Sequence, residues 1–154
     1  MRTMYIDADA CSVKNECYKV ANRWGWRVFV VANQYIQTPQ NPMITAITVE
    51  QGDDVADAWI AERCEQGDVV VTNDIPLAAL CLDKGARVLG QKGKEFSPDS
   101  IGDALASREL SQNLREMGIE TGGPKPMQPK DRSAFLGKLD QILVALDREF
   151  AEGK

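Results

Sequence analysis

The chain has 154 residues, 44% of them hydrophobic and 27% charged, which suits one folded unit around its own core. It contains no histidine, so a Ser-His-Asp triad, a Cys-His pair and any histidine general base are excluded. A net charge of −5 argues against indiscriminate nucleic-acid binding and leaves room only for a local basic groove.

No apolar run approaches the roughly 18 residues of a membrane span. The apolar start is broken by Asp7 and Asp9 and lacks the basic end and cleavage site of a secretory signal. A cytoplasmic protein with no membrane contact is therefore expected. Cys11, Cys17, Cys64 and Cys81 form no C-x-x-C pair. They read as buried free thiols rather than as a zinc site or disulfides.

Residues 3–6 form a short β-prone run that ends at Asp7. Over 12–24, Val13, Cys17, Val20, Ala21 and Trp24 recur at helical spacing, with Ser12 as a cap and Gly25 as a stop. A second strand over 27–31 runs into Ala32 and Asn33, and a polar loop with Pro39 and Pro42 follows. The third strand covers 44–49 and stops before Gly52-Asp53-Asp54. A helix over 54–64 places Val55, Trp59 and Ile60 inward. Strand four, 69–72, ends at Asn73-Asp74; a helix over 75–84 and a fifth strand over 86–89 complete this part.

Strands that alternate with helices, and that are continuous Val/Ile runs, indicate a mostly parallel sheet covered on both faces. The expected fold is a three-layer α/β/α domain spanning 1–154, with a helical extension over about 101–150. That extension comprises a helix over 101–117, a Gly/Pro-rich loop over 118–130 and an amphipathic helix over 132–150. The last helix carries Phe135, Leu139, Ile142, Leu143 and Leu146 on one side. Trp24, Trp26 and Trp59 are expected in the core rather than as base-stacking platforms.

Open parallel sheets gather ligands at the carboxyl ends of their strands. The acids stand there: Asp7 and Asp9 after strand one, Asp53 and Asp54 after strand three, and Asp74 after strand four. Asp57 lies one turn beyond Asp54. Carboxylates crowded at one edge repel unless a proton or cation intervenes, and hard oxygen ligands select Mg²⁺ or Mn²⁺. The plain alternative is that Asp54 and Asp74 only cap helices. Thr72, Asn73, Lys14 and Asn33 could face the same edge and contact substrate. Asp7-Ala8-Asp9-Ala10-Cys11 invites comparison with haloacid-dehalogenase-type phosphatases. It lacks their Thr or Val, and the acidic pair precedes Thr72 instead of following it.

The blocks YIDADACSVK (5–14), VVAN (30–33), GDDVADAWI (52–60), GDVVVTNDIPLAA (67–79) and TGGPKPMQPKDRSAF (121–135) resemble the bacterial UPF0178, or YaiI/YqxD, family. That family's fold is similar to the PIN-like nucleases, which carry acids after strand one, on a mid-chain helix and in a [ST]-x-D motif after strand four. The resemblance implies Asp7 as the central ligand, Asp74 of Thr72-Asn73-Asp74 as its partner, and Asp54 or Asp57 as the mid-chain acid. Asp9 would support them. PIN nucleases usually have Glu on the mid-chain helix, where this chain has only Asp. Lys125, Lys130 and Arg132 could gather a phosphate backbone over the site; alternatively Asp131 caps the last helix and Arg132 pairs with an acid. The implied activity is a Mg²⁺- or Mn²⁺-dependent nuclease or phosphodiesterase that favours RNA. A non-catalytic nucleic-acid- or nucleotide-binding module and a regulatory protein-binding protein are the alternatives.

Overall fold

The computed structural model describes residues 2–9, 11–52, 54–118 and 126–152. Asp53 and Lys125 lie outside the described residues, as does most of the expected loop over 118–130.

The elements alternate: β1 (Thr3–Asp7), α1 (Lys14–Trp24), β2 (Arg27–Ala32), β3 (Ile44–Thr48), α2 (Val55–Arg63), β4 (Val69–Val71), α3 (Ile75–Asp83) and β5 (Arg87–Leu89). A two-residue strand β6 (Glu95–Phe96) and the helices α4 (Pro98–Glu116) and α5 (Pro129–Glu152) complete the order. The sheet runs β3-β2-β1-β4-β5-β6. All neighbouring pairs are parallel except β5 with β6.

The apolar strands explain the layering. Met4, Ile6, Val28, Val30, Val69 and Val71 face a cluster shared with α1 and α5. Tyr5, Val31, Val70 and Val88 face the other side, against Ala56, Ile60, Leu77, Ala78 and Cys81 of α2 and α3. Alternate residues of a strand point to opposite faces, so a strand covered twice must be apolar throughout. The architecture is the expected three-layer α/β/α.

Several boundaries differ from expectation. Helix α1 starts after Val13, and Ser12 does not cap it: its hydroxyl lies 3.0 Å from Gln91 Oε1 instead. Helix α4 starts at Pro98 rather than 101, because Ser97 and Ser100 close a reciprocal capping box around it. Helix α5 starts at Pro129, so residues 129 and 130 are helical rather than loop. All four cysteines are buried and free, as expected. Trp26 is buried, with its indole N–H 3.1 Å from Asp147 Oδ1. Trp24 is instead 38% exposed and donates to Asp140 at 2.8 Å, so it is not a core residue. No helix among the described residues is long and apolar enough to cross a membrane.

Candidate functional site

Strand β1 occupies the middle of the sheet. The chain leaves it toward β2 and β3 and returns on its other side at β4. Loops that depart in opposite directions open a crevice at the carboxyl end of such a switch point. Asp7 ends β1 there, and Thr72-Asn73-Asp74 continues β4 beside it.

Thr72 holds the two acids together. Its hydroxyl, 1% exposed as a residue, donates to Asp7 Oδ2 at 2.8 Å and accepts the Asp74 backbone N–H at 2.9 Å. Asp74 in turn accepts the Leu77 N–H at 2.9 Å and so caps α3. The capping alternative therefore holds for Asp74, although only one of its oxygens is used in the cap. It fails for Asp54, which precedes α2 with φ 68° and makes no capping bond through its side chain. A non-glycine residue in the left-handed region is uncommon, and Asp is among the residues that tolerate it.

Asp7, Asp9, Asp54, Asp57 and Asp74 line one cavity of about 400 Å³, together with Asn33, Gly52, Ala56 and Arg108. Asp9 reaches across to β2 and accepts the Asn33 N–H at 3.0 Å. Burial raises the Asp7 carboxyl above its ordinary range, against the lowering hydrogen bond from Thr72, and repulsion from Asp74 and Asp9 adds to the rise. Asp57 is pushed up to about 7, first by burial and then by repulsion from Asp74 and Asp7.

Other expected contacts lie elsewhere. Lys14 turns back on its own loop and donates to the Cys11 carbonyl at 2.7 Å, so it does not line the cavity. Asn73 spends its Oδ1 on the Gln91 N–H at 3.0 Å and lines a neighbouring groove instead. Arg132 donates to the Ser12 carbonyl at 2.7 Å and to Glu16 at 3.3 Å, which fastens α5 to the loop after β1. The acid-pairing alternative holds for Arg132. Asp131 accepts the Gln128 N–H at 2.9 Å, and Lys130 is exposed at the start of α5. Sequence reasoning missed Arg108. It reaches the acidic rim only because α4 packs on α3, and no local pattern announces that contact.

The acids are hard oxygen donors, the chemistry that Mg²⁺ and Mn²⁺ require. Among the described residues no three acidic or thiol side chains are grouped tightly enough to hold an ion by themselves. What is present is a set of carboxylates that crowd one another around one cavity.

A model of the family described as "Uncharacterized BCR, YaiI/YqxD family" matches residues 5–145. The chain belongs to the YaiI/YqxD family. A UPF0178 protein of Caulobacter vibrioides is 54% identical over 146 residues, covering 95% of each chain. A UPF0178 protein of Azorhizobium caulinodans is likewise 54% identical, over 95% of this chain and 92% of its own. One from Paramagnetospirillum magneticum is 53% identical over 143 residues, 93% of this chain and 95% of its own. No solved structure matches.

The hydroxyl of Thr72 gives the YaiI/YqxD site a specific test. Thr72→Val keeps the shape but strips a buried N–H and a carboxylate of their partner. The expected loss is about 1–3 kcal/mol in urea unfolding, because an unsatisfied buried group carries its full desolvation penalty. An unchanged midpoint would show that Thr72 does not fix the two acids.

Proposed function

We propose that this protein is a divalent-metal-dependent phosphodiesterase acting on nucleic acid, with RNA favoured, in the cytoplasm. The observation that carries the reading is the convergence of five carboxylates from β1, β4 and the start of α2 on one cavity. The resemblance to PIN-like nucleases supports it as an analogy of fold.

Asp7 and Asp74 are the residues that would hold Mg²⁺ or Mn²⁺, with Asp9, Asp54 and Asp57 in support. Mg²⁺ usually keeps several waters and is bound through one or two carboxylates plus substrate phosphate, so a site that lacks three grouped ligands still suits it. Such an ion supplies an activated water and neutralises charge on a phosphoryl oxygen. Thr72 keeps the Asp7 carboxylate oriented, and the cap keeps Asp74 oriented. Asp57, whose carboxylate lines the same cavity, is placed to take a proton from the attacking water. Arg108 at the rim offsets the negative charge of a phosphate.

Calorimetric titration of Mn²⁺ into the metal-free protein tests the reading. Heat of binding that is lost in Asp7→Asn/Asp74→Asn supports it. Equal behaviour of the two proteins overturns it. A second reading, a module that binds nucleic acid without cleaving it, is favoured by the cations Lys92, Lys94 and Arg108 that line the groove adjoining the acidic cavity. Metal binding with no cleavage would select that reading.

Protonation of Asp57 also makes stability pH-dependent. Asp57 is pushed up to about 7 in the folded state from its ordinary value of 3.8, so between the two the folded state binds more protons. Its contribution is present below the unfolded value and is lost as pH rises through 7. In EDTA at pH 8, Asp57→Asn is expected to be more stable than the wild type by about 1–2 kcal/mol, a figure reduced for solvent screening. At pH 4 the two should melt together. A gain that does not depend on pH would contradict the assignment.

A further inference from the structure

A second cavity, about 730 Å³, lies between α4 and the turn that joins β5 to β6. Lys92 and Lys94 on the turn and Arg108 on α4 line it, over an apolar floor of Ile75, Ala104 and Phe96. Asp103 is the only carboxylate among its described lining residues, so three cations face one acid. Arg108 lines this groove and the acidic cavity alike, and Asn73 of the groove is the chain neighbour of Asp74. The two spaces are adjoining parts of one surface. Neither Lys94 nor Arg108 forms an ion pair with a described residue.

The basic turn is held in place. The Gly90 N–H bonds the Lys94 carbonyl at 2.9 Å and the Gly93 N–H bonds the Gly90 carbonyl at 3.1 Å. Gly93 has φ 89°, and a Cβ there would come within 2.9 Å of the backbone at Ala134, so the turn is wedged against α5. On its other side the Gln91 N–H is bonded to Asn73 Oδ1 at 3.0 Å. The backbone that carries both lysines is thus fixed relative to the loop that carries Asp74.

We infer that this groove is the track on which a single-stranded nucleic acid lies while its scissile phosphate enters the acidic cavity. The inference rests on the phosphodiesterase reading above. A pocket of five carboxylates repels a polyanion, and adjoining cations are what bring the strand to it. The mixture of cations with an apolar floor suits a single strand, which offers both phosphates and the flat faces of sugars and bases. A duplex keeps its bases inside and would leave that floor unused.

The test uses the full chain in EDTA, where nothing is cleaved, and a fluorescein-labelled single-stranded RNA of about ten nucleotides, a length that one groove can track. Fluorescence anisotropy should show Lys94→Glu/Arg108→Glu binding at least about tenfold more weakly at low salt. The slope of log K against log salt should fall by about 1.4, because each lost phosphate contact on a single strand removes about 0.7. Lys19→Glu/Arg148→Glu, on the exposed surfaces of α1 and α5 and outside both cavities, is the charge-matched control and should bind like the wild type. Equal affinity of the double variant and the wild type, or a duplex that binds as tightly as the single strand, would overturn the inference. Binding that depends on Lys94 and Arg108 without any cleavage in Mn²⁺ would overturn the hydrolytic reading and leave the track standing. Cleavage by a chain whose affinity ignores both residues would do the reverse.

Discussion

Asp7→Asn is expected to lower Mn²⁺-dependent cleavage of single-stranded RNA by about 10²–10³-fold, the loss of roughly 3–4 kcal/mol of transition-state stabilisation. The amide keeps the shape and can still face the Thr72 hydroxyl, so the fold should survive. It removes the charge that a cation needs, and it also removes a buried anion that Asp74 and Asp9 repel. The variant should therefore be inactive yet no less stable than the wild type in EDTA. Kinetics and thermal melting on the same sample check both halves. Retained activity would remove Asp7 from the centre of the site, and a large loss of stability would show that its role is structural.

The second large effect concerns the frame behind the site. Phe135 is fully buried in the cluster between α5, α1 and the sheet. Phe135→Ala is expected to cost about 3–5 kcal/mol, because the lost transfer energy is joined by an unfilled cavity. Its neighbours in the chain lie against the Gly90–Gly93 turn, and Arg132 one turn earlier bonds the loop after β1. Loosening this end of α5 should weaken oligonucleotide binding along with stability. Urea unfolding followed by tryptophan fluorescence measures the first effect. A loss below about 1 kcal/mol would mean that the site collapses around the gap.

How far the sequence disclosed these features depended on their range. Strands β1, β2 and β4 were legible as apolar runs because both of their faces are covered, and α5 through the spacing of Phe135, Leu139, Ile142, Leu143 and Leu146. Strand β6 was not, since a two-residue strand carries no period. The start of α4 carried its signal in Ser97, Pro98 and Ser100, but a cap without an Glu/Gln partner is easily passed over in favour of the first apolar residue, Ile101.

The acidic cavity was readable because the end of a strand is a local property while the crevice follows from the order of the strands. The cations were not. Lys14 and Arg132 are placed by single bonds to the carbonyls of Cys11 and Ser12. Arg108 is placed by the packing of α4 on α3. A charged side chain on a helix surface can serve any neighbour within reach, so only the assembled fold selects one.

The most direct measurement is cleavage of a labelled single-stranded RNA by the wild-type protein in Mn²⁺, in EDTA, and with Asp7→Asn/Asp74→Asn in Mn²⁺. Fragments that form only with wild type and Mn²⁺ are the expected result. Intact RNA in all three reactions, or equal cleavage by the double variant, would contradict a catalytic centre built on Asp7 and Asp74.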